Sequence, residues 1–187
     1  MRRGNLFVIS GPSGAGKGTL VARLLREVPD SWVSISATTR SPREGEQDGV
    51  QYFFKSDEEF DTLIEEDGLL EWATYADHRY GTPKSAVVGH IAQGKQVVLE
   101  IDVQGAFQVK AKLPEAHLVF IEPPSIEVLE ARLRGRGTET DEVIASRMEA
   151  AQVELSRKME YDIRIVNDNL ETATRQLVDY VNEKAEE

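Results

Sequence analysis

Seven residues constrain this chain more than any other stretch. Gly11-Pro12-Ser13-Gly14-Ala15-Gly16-Lys17 comes directly after the apolar run 6–9 and directly before a helical period that starts at Thr19. The spacing G-x-x-x-x-G-K between a strand and a helix is that of a phosphate-binding loop. Glycines let successive backbone N–H groups curl round a phosphate without Cβ clashes. The N-terminus of the following helix adds its dipole, and Lys17 supplies a mobile positive charge to the terminal phosphate oxygens. A ligand-free Gly-rich turn is the alternative, and the context on both sides speaks against it. Position 18 departs from the pattern, because Gly18 stands where a Ser or Thr hydroxyl would ligate Mg²⁺, with Thr19 next. Magnesium is therefore expected to be held mainly by nucleotide phosphates, water and a carboxylate, which suits an ion that dehydrates reluctantly.

The remaining pattern supplies a frame for such a loop. Runs 97–101 and 118–121 are, like 6–9, short, β-branched and unalternating, as strands buried on both faces should be. Helical periods lie between them. Leu20, Leu24 and Val28 form one stripe, 103–113 repeats it, and Ser125 is an N-cap for 126–133. Residues 140–160 carry Val143, Ile144, Met148, Ala151 and Leu155 at helical spacing. A short strand at 163–166 and a last helix from about Leu170 follow, and the Glu-rich end is expected to be solvated. The order predicts an α/β chain with a parallel sheet covered by helices.

At 187 residues the chain reads as one globular domain that can bury its own core. The absence of Cys excludes thiolate chemistry. With 22 Lys+Arg against 33 Asp+Glu and a net charge of −11, binding to a nucleic acid polymer or an anionic membrane is disfavoured. The apolar run after Met1-Arg2-Arg3 is too short for a signal peptide. No run approaches the roughly 18 residues that would span a bilayer. A cytoplasmic protein is expected.

Residues 34–94 differ in character. Ser41-Pro42, Gly45, Gly49, Gly68 and Gly81 separate short alternating runs at 51–54 and 69–75 and an acidic helix at 57–66. That pattern predicts a small α+β insertion docked on the main sheet. Ser36-Ala37-Thr38-Thr39-Arg40-Ser41-Pro42-Arg43 concentrates two arginines and several hydroxyls in an acidic chain, with Tyr52 and Tyr80 beyond it. Arginine forks match phosphate oxygens two at a time, so the segment reads as a second anion site. Standing alone, it would read equally as surface arginines with capping hydroxyls. A pocket selecting guanine needs a carboxylate for the N1–H and amino donors and a hydroxyl nearby, and Glu71 and Thr82 fit that need. Glu100 and Asp102 sit where a parallel sheet presents groups to its ligand crevice, or else where they charge a helix N-terminus.

In their order and spacing these pieces resemble the guanylate kinases, enzymes that move a phosphoryl group from ATP to GMP. The likeness runs over nearly the whole chain. It rests on the loop 11–17, Ser36-x-Thr38-Thr39-Arg40-x-Pro42-Arg43-x-Gly45-Glu46, Asp48-Gly49-x-x-Tyr52-x-Phe54 and Tyr80-Gly81-Thr82. It continues through Glu100-Ile101-Asp102-x-Gln104-Gly105, Pro123-Pro124-Ser125, Arg132-Leu133-x-x-Arg136-Gly137-Thr138 and Ile165-Val166-Asn167-Asp168.

The resemblance implies a P-loop NTPase core (about 1–34, 95–130 and 160–187), a nucleoside-monophosphate-binding insertion (about 35–94), and a short lid with its following helix (about 131–159). Mg-ATP would lie on Gly11, Pro12, Ser13, Gly14, Ala15, Gly16, Lys17, Gly18 and Thr19, closed over by Arg132 and Arg136, with Asn167 on the adenine side. GMP, and dGMP with it, would meet Ser36, Arg40, Arg43, Tyr52 and Tyr80 at its phosphate, with Glu46 supporting the arginines; Arg147 would close on the ATP phosphates with the lid arginines and also count among the GMP-binding residues. Glu71, Thr82 and Asp102 would read the base. Lys17, Arg40, Arg136 and Arg147 form the implied catalytic group, and Mg²⁺ is expected on phosphates and water, near Asp102. Without that likeness Arg132 and Arg136 would read as a helix-surface pair beside Glu130, and Arg134 is the least supported of the basic residues. Two alternatives stay open: a non-catalytic phosphopeptide-binding module of the same fold, and a related P-loop kinase with another acceptor. His78, His90 and His117 are assigned no role.

Overall fold

The computed structural model describes residues 2–135, 137 and 140–186. Its centre is a sheet of five parallel strands: β1 (Asn5–Ser10), β2 (Ser31–Val33), β7 (Gln96–Glu100), β8 (His117–Glu122) and β9 (Ile163–Val166). Their order is β2-β7-β1-β8-β9. Helices α1 (Lys17–Glu27) and α7 (Leu170–Glu186) cover one face, and α3 (Lys84–Ala92) and α4 (Val103–Lys112) cover the other. The unalternating runs are explained by this double cover. In β1, Phe7 and Ile9 enter the cluster with Leu20, Leu24 and Leu177, while Leu6 and Val8 enter the other with Val97, Val109 and Phe120. Each such side chain contributes roughly 1.5–3 kcal/mol by leaving water. A third, smaller cluster of Leu129, Leu133, Ile144 and Ala151 joins α5 (Ile126–Gly135) to α6 (Asp141–Ser156).

A second sheet has the order β4-β3-β6-β5, from β3 (Ala37–Thr38), β4 (Phe53–Phe54), β5 (Leu69–Tyr75) and β6 (His78–Pro83), with helix α2 (Asp57–Glu65) beside it. A capping box starts α2. Ser56 accepts from the Glu59 N–H at 3.1 Å, and Glu59 accepts from the Ser56 N–H at 2.8 Å. Lys112 of α4 donates to Leu69 O at 2.7 Å, and Gln108 accepts from the Trp72 N–H at 3.2 Å. These bonds set β5 beside α4.

Two expectations need correction. The Glu-rich end is not solvated throughout: Ala173, Leu177, Val181 and Ala185 continue a buried stripe along α7. Asn5 donates to Lys184 O at 3.1 Å and Arg3 N–H to Ala185 O at 3.3 Å, so spacing rather than composition governs this helix. The 140–160 helix ends at Ser156, and a 3₁₀ turn at Lys158–Glu160 follows it.

Candidate nucleotide-binding site

The loop 11–17 leaves the C-terminal end of β1 at the point where the sheet's order runs outward in both directions, and such a point opens a crevice. The backbone there requires glycine. Gly16 has φ 93°, and a Cβ on it would lie 2.4 Å from Asn167 Nδ2. Asn167 itself is buried and donates to Ala15 O at 2.8 Å, so it braces the loop. Its own carbonyl accepts from Arg132 Nη2 at 2.8 Å, which ties α5 to the same bracket. Lys17 Nζ donates to Gly11 O at 2.6 Å and Pro12 O at 3.2 Å. From α6, Arg147 donates to Ser13 Oγ at 2.7 Å. Gly18 and Thr19 are exposed in the first turn of α1.

The second anion site is built on Arg40. Its guanidinium forks onto Glu46 at 3.0 and 2.9 Å, donates to Ser41 O at 2.8 Å, and lies 5.3 Å from the centre of the Tyr52 ring. The Glu46 carboxyl is held below the usual range, first by Arg40 and then by the Arg43 N–H, which it accepts at 2.7 Å. Tyr52 and Tyr80 stand edge to face with centres 6.0 Å apart. Arg43 is exposed. Ion pair, ring and the Ser41 carbonyl together hold Arg40 as a planar donor, which is what phosphate recognition uses.

Beside it lies a cavity of about 260 Å³ lined by Ser36, Glu71, Ala73, Tyr75, Tyr80, Ile101 and Asp102. Glu71 is 8% exposed and accepts from Thr82 Oγ1 at 2.6 Å. Burial pushes its carboxyl up, the Thr82 hydrogen bond opposes that, and the Asp102 charge adds to it. Asp102 does two things at once. It caps α4 by accepting from the Gly105 N–H at 2.7 Å, and it lines the cavity. The helix-terminal reading of this residue is thus seen directly, and its place at the cavity wall is compatible with the other. Ala73, Tyr75 and Ile101 were missed by the sequence reading. The period of two along β5, from Glu71 through Ala73 to Tyr75, is the signal that finds the first two.

The carboxylate beside position 18 is that of Glu100, whereas the sequence reading looks for magnesium near Asp102. A Cβ on Gly18 would lie 3.7 and 3.8 Å from the two Glu100 carboxylate oxygens, so a carboxylate faces the place of the missing hydroxyl. Among the described residues no group of three or more metal-binding side chains forms a cage. One carboxylate with room for water and phosphates suits Mg²⁺. Arg136 lies outside the described residues.

A family model described as guanylate kinase matches residues 3–184. The chain belongs to the guanylate kinase family. It is 54% identical over 176 residues to a guanylate kinase of Streptomyces kasugaensis, covering 94% of this chain and 86% of that protein. It is 54% identical over 182 residues to one of Synechocystis sp., covering 97% and 95%. A solved guanylate kinase from Anaplasma phagocytophilum is similar with a TM-score of 0.76 at 29% identity, over 100% of this chain and 89% of that one. A shikimate kinase from Bacteroides thetaiotaomicron, 17% identical with a TM-score of 0.55 over 95% and 98%, shares the fold alone. The frame is thus wider than the guanylate kinases, and acceptor choice rests on side chains grafted onto it. No helix among the described residues is long and apolar enough to cross a membrane.

Proposed function

We propose that this guanylate kinase family member transfers the terminal phosphoryl group of Mg-ATP to GMP, and to dGMP, giving ADP and the nucleoside diphosphate. The observation that carries the acceptor is the buried Glu71–Thr82 pair, 2.6 Å apart, at the wall of a cavity beside Arg40. A buried carboxyl calls for hydrogen-bond donors around it, and guanine offers N1–H and an amino group side by side.

The triphosphate lies on the backbone N–H groups of the loop 11–17, with Lys17 and Arg147 at its end. Arg40 and Arg43 hold the GMP phosphate, and Arg132 with Arg136 closes from the lid. A GMP phosphate oxygen attacks the terminal phosphorus in line, one P–O bond forms, and the bond to the ADP oxygen breaks. The transition state is loose and its charge sits on the equatorial oxygens. Alignment and positive charge are therefore the protein's contribution, and no nucleophilic side chain is needed. Mg²⁺, when bound, neutralises developing charge on the phosphates, and Glu100 would hold its water. Water must be excluded or ATP is hydrolysed, so the insertion (about 35–94) and the lid (about 131–159) are read as the parts that close. Both substrates are cytoplasmic metabolites, and the reaction is placed there.

A coupled ADP-release assay with GMP, dGMP, AMP, CMP and UMP tests this reading. ADP formed with guanine nucleotides alone supports it. ADP formed equally with AMP overturns the acceptor assignment, and none with any acceptor overturns the activity.

A further inference from the structure

The cavity beside Arg40 is closed at one end and open at the other. At the closed end Ile101 Cδ1, Glu71 Oε2 and Asp102 Oδ1 converge, since a Cβ built on Gly105 would lie 3.2, 3.3 and 3.4 Å from them. Carboxylates and hydroxyls can meet a base only at its edge, where its donors and acceptors are. They leave its two faces uncovered. A purine face is apolar and polarisable, and its favoured partner is an aromatic ring.

Two of the lining residues carry such a ring, Tyr80 and Tyr75. Tyr80 is engaged on the side of the anion site, edge to face with Tyr52. Tyr75 is not. It is 75% exposed although it lines the cavity, and among the described residues its ring and hydroxyl have no ring, cation or hydrogen-bond partner. The backbone fixes where it stands. Tyr75 pairs with His78 as the last rung between β5 and β6, and the two residues of the turn, Ala76 and Asp77, both have positive φ. Such a two-residue turn matches the twist of the strands it joins, so the ladder stays regular up to the turn. Ala73 and Tyr75 are thereby kept on one face of the strand, and both line the cavity.

We propose that Tyr75 is a base-stacking residue of the acceptor site, its ring covering a face of the purine whose edge Glu71 and Thr82 read. The inference deepens the GMP reading of this cavity and rests on it. Labour is then divided within one pocket. Glu71 discriminates, because only a base with donors on its edge satisfies it. Tyr75 adds affinity without discrimination, because every purine presents the same kind of face. The ring at the open end also leaves water when the base arrives, which couples acceptor binding to the exclusion of solvent from the cavity.

The test compares full-length wild type, Y75A and Y75F by calorimetric titration of GMP, by displacement titration with ribose 5-phosphate, which has no base, and by steady-state kinetics. Y75A is expected to bind GMP about tenfold more weakly and to raise the KM for GMP by the same factor. Its kcat and MgADP affinity should stay near wild type, as the loss of uniform binding requires. Ribose 5-phosphate should bind wild type and Y75A alike, and Y75F, which keeps the ring, should behave as wild type. GMP affinity in Y75A equal to wild type overturns the proposal. So does an equal loss for ribose 5-phosphate, which is what a merely structural role would give, together with a lowered Tm. A fall in the ratio of kcat/KM for GMP over AMP in Y75A overturns it too, since a stacking ring does not read the edge. Wild type that binds GMP but forms no ADP from MgATP is a failure of the parent reading instead, and the binding comparison still decides Tyr75.

Discussion

The two sheets of this protein are held together by different physics. In the five-stranded sheet, Phe7, Val8, Ile9, Val97, Val98, Phe120 and Ile121 are fully excluded from solvent on two faces. The four-stranded sheet has two strands of only two residues, and its own apolar cluster is Ala37 and Leu69 with Phe60 of α2, while Leu70 of β5 packs into the core of the larger sheet. Charge does much of the rest there. Arg79 pairs with Asp57 and Asp61 and lies 4.9 Å from the centre of the Phe60 ring. Asp67 joins Lys84 at 2.8 Å and Lys112 of the core at 2.5 Å. The loop proposed to take ATP is thus mounted on a dry, rigid frame, while the proposed acceptor pocket sits on a part whose ties are exposed and exchangeable. A frame sunk in apolar contacts resists opening, and one tied by surface ion pairs opens at small cost. The closure proposed above would draw on that asymmetry.

The largest effect expected falls on the rigid side. Lys17→Ala should lower kcat by about 10³-fold or more while leaving the unfolding midpoint near wild type, since charge on the transferring group is what the site supplies. Near-normal turnover in that variant would remove Lys17 from the mechanism.

A matched pair of cavity variants then compares the sheets directly. Phe7→Ala should cost about 3–5 kcal/mol in denaturant unfolding and abolish both nucleotide sites together. Phe60→Ala should abolish GMP binding while MgADP still binds. Equal loss of MgADP binding in both would break the comparison.

Smaller effects sharpen it. Glu71 has a raised folded-state carboxyl, so its contribution is favourable below the unfolded value and lost as pH rises through the folded one. At neutral pH the ionised form is a net cost. Glu71→Gln should therefore raise Tm relative to wild type at neutral pH, a gain that shrinks as the pH falls into the ordinary carboxylate range. The ratio of kcat/KM for GMP over AMP should fall in the same variant. An unchanged ratio would remove Glu71 from base reading.

Asp67 has the opposite sign. Lys112 and Lys84 hold its carboxyl down to about 2, so its stabilisation is present above the unfolded value near 4 and lost as pH falls toward 2. The stability gap between wild type and Asp67→Asn should be small at pH 6, smaller in high salt, and closed by pH 2. A gap that survives at pH 2 would show that the ties at Asp67 are not ionic.

How much of this was legible beforehand follows the same division. Strands at 6–9 and 118–121 were readable because burial on two faces writes an unbroken apolar run. The loop 11–17 was readable because its chemistry is local. β6 was not, since its hairpin turn uses Ala76 and Asp77 at φ 47° and 65° in place of the Gly or Asn that usually mark such turns. β2, β3 and β4 were not foreseen at their observed extents, because two or three residues carry too little period to count. Glu71 could be nominated for guanine from hydrogen-bond donors and acceptors. That it is covered, and that Asp102 both caps α4 and faces it, depends on elements far apart in the chain.

The sequence by itself determined the frame: which runs are buried on both faces, where the phosphate loop stands, and which residue types could meet two nucleotides. These follow from short-range periodicity and from backbone geometry within a few residues. Only the tertiary structure decided which charges face one another. Arg147 reaches Ser13 across 134 positions, and Asn167 braces Ala15 across 152. The field at a site depends on distance and burial in space, and neither is written in the order of residues.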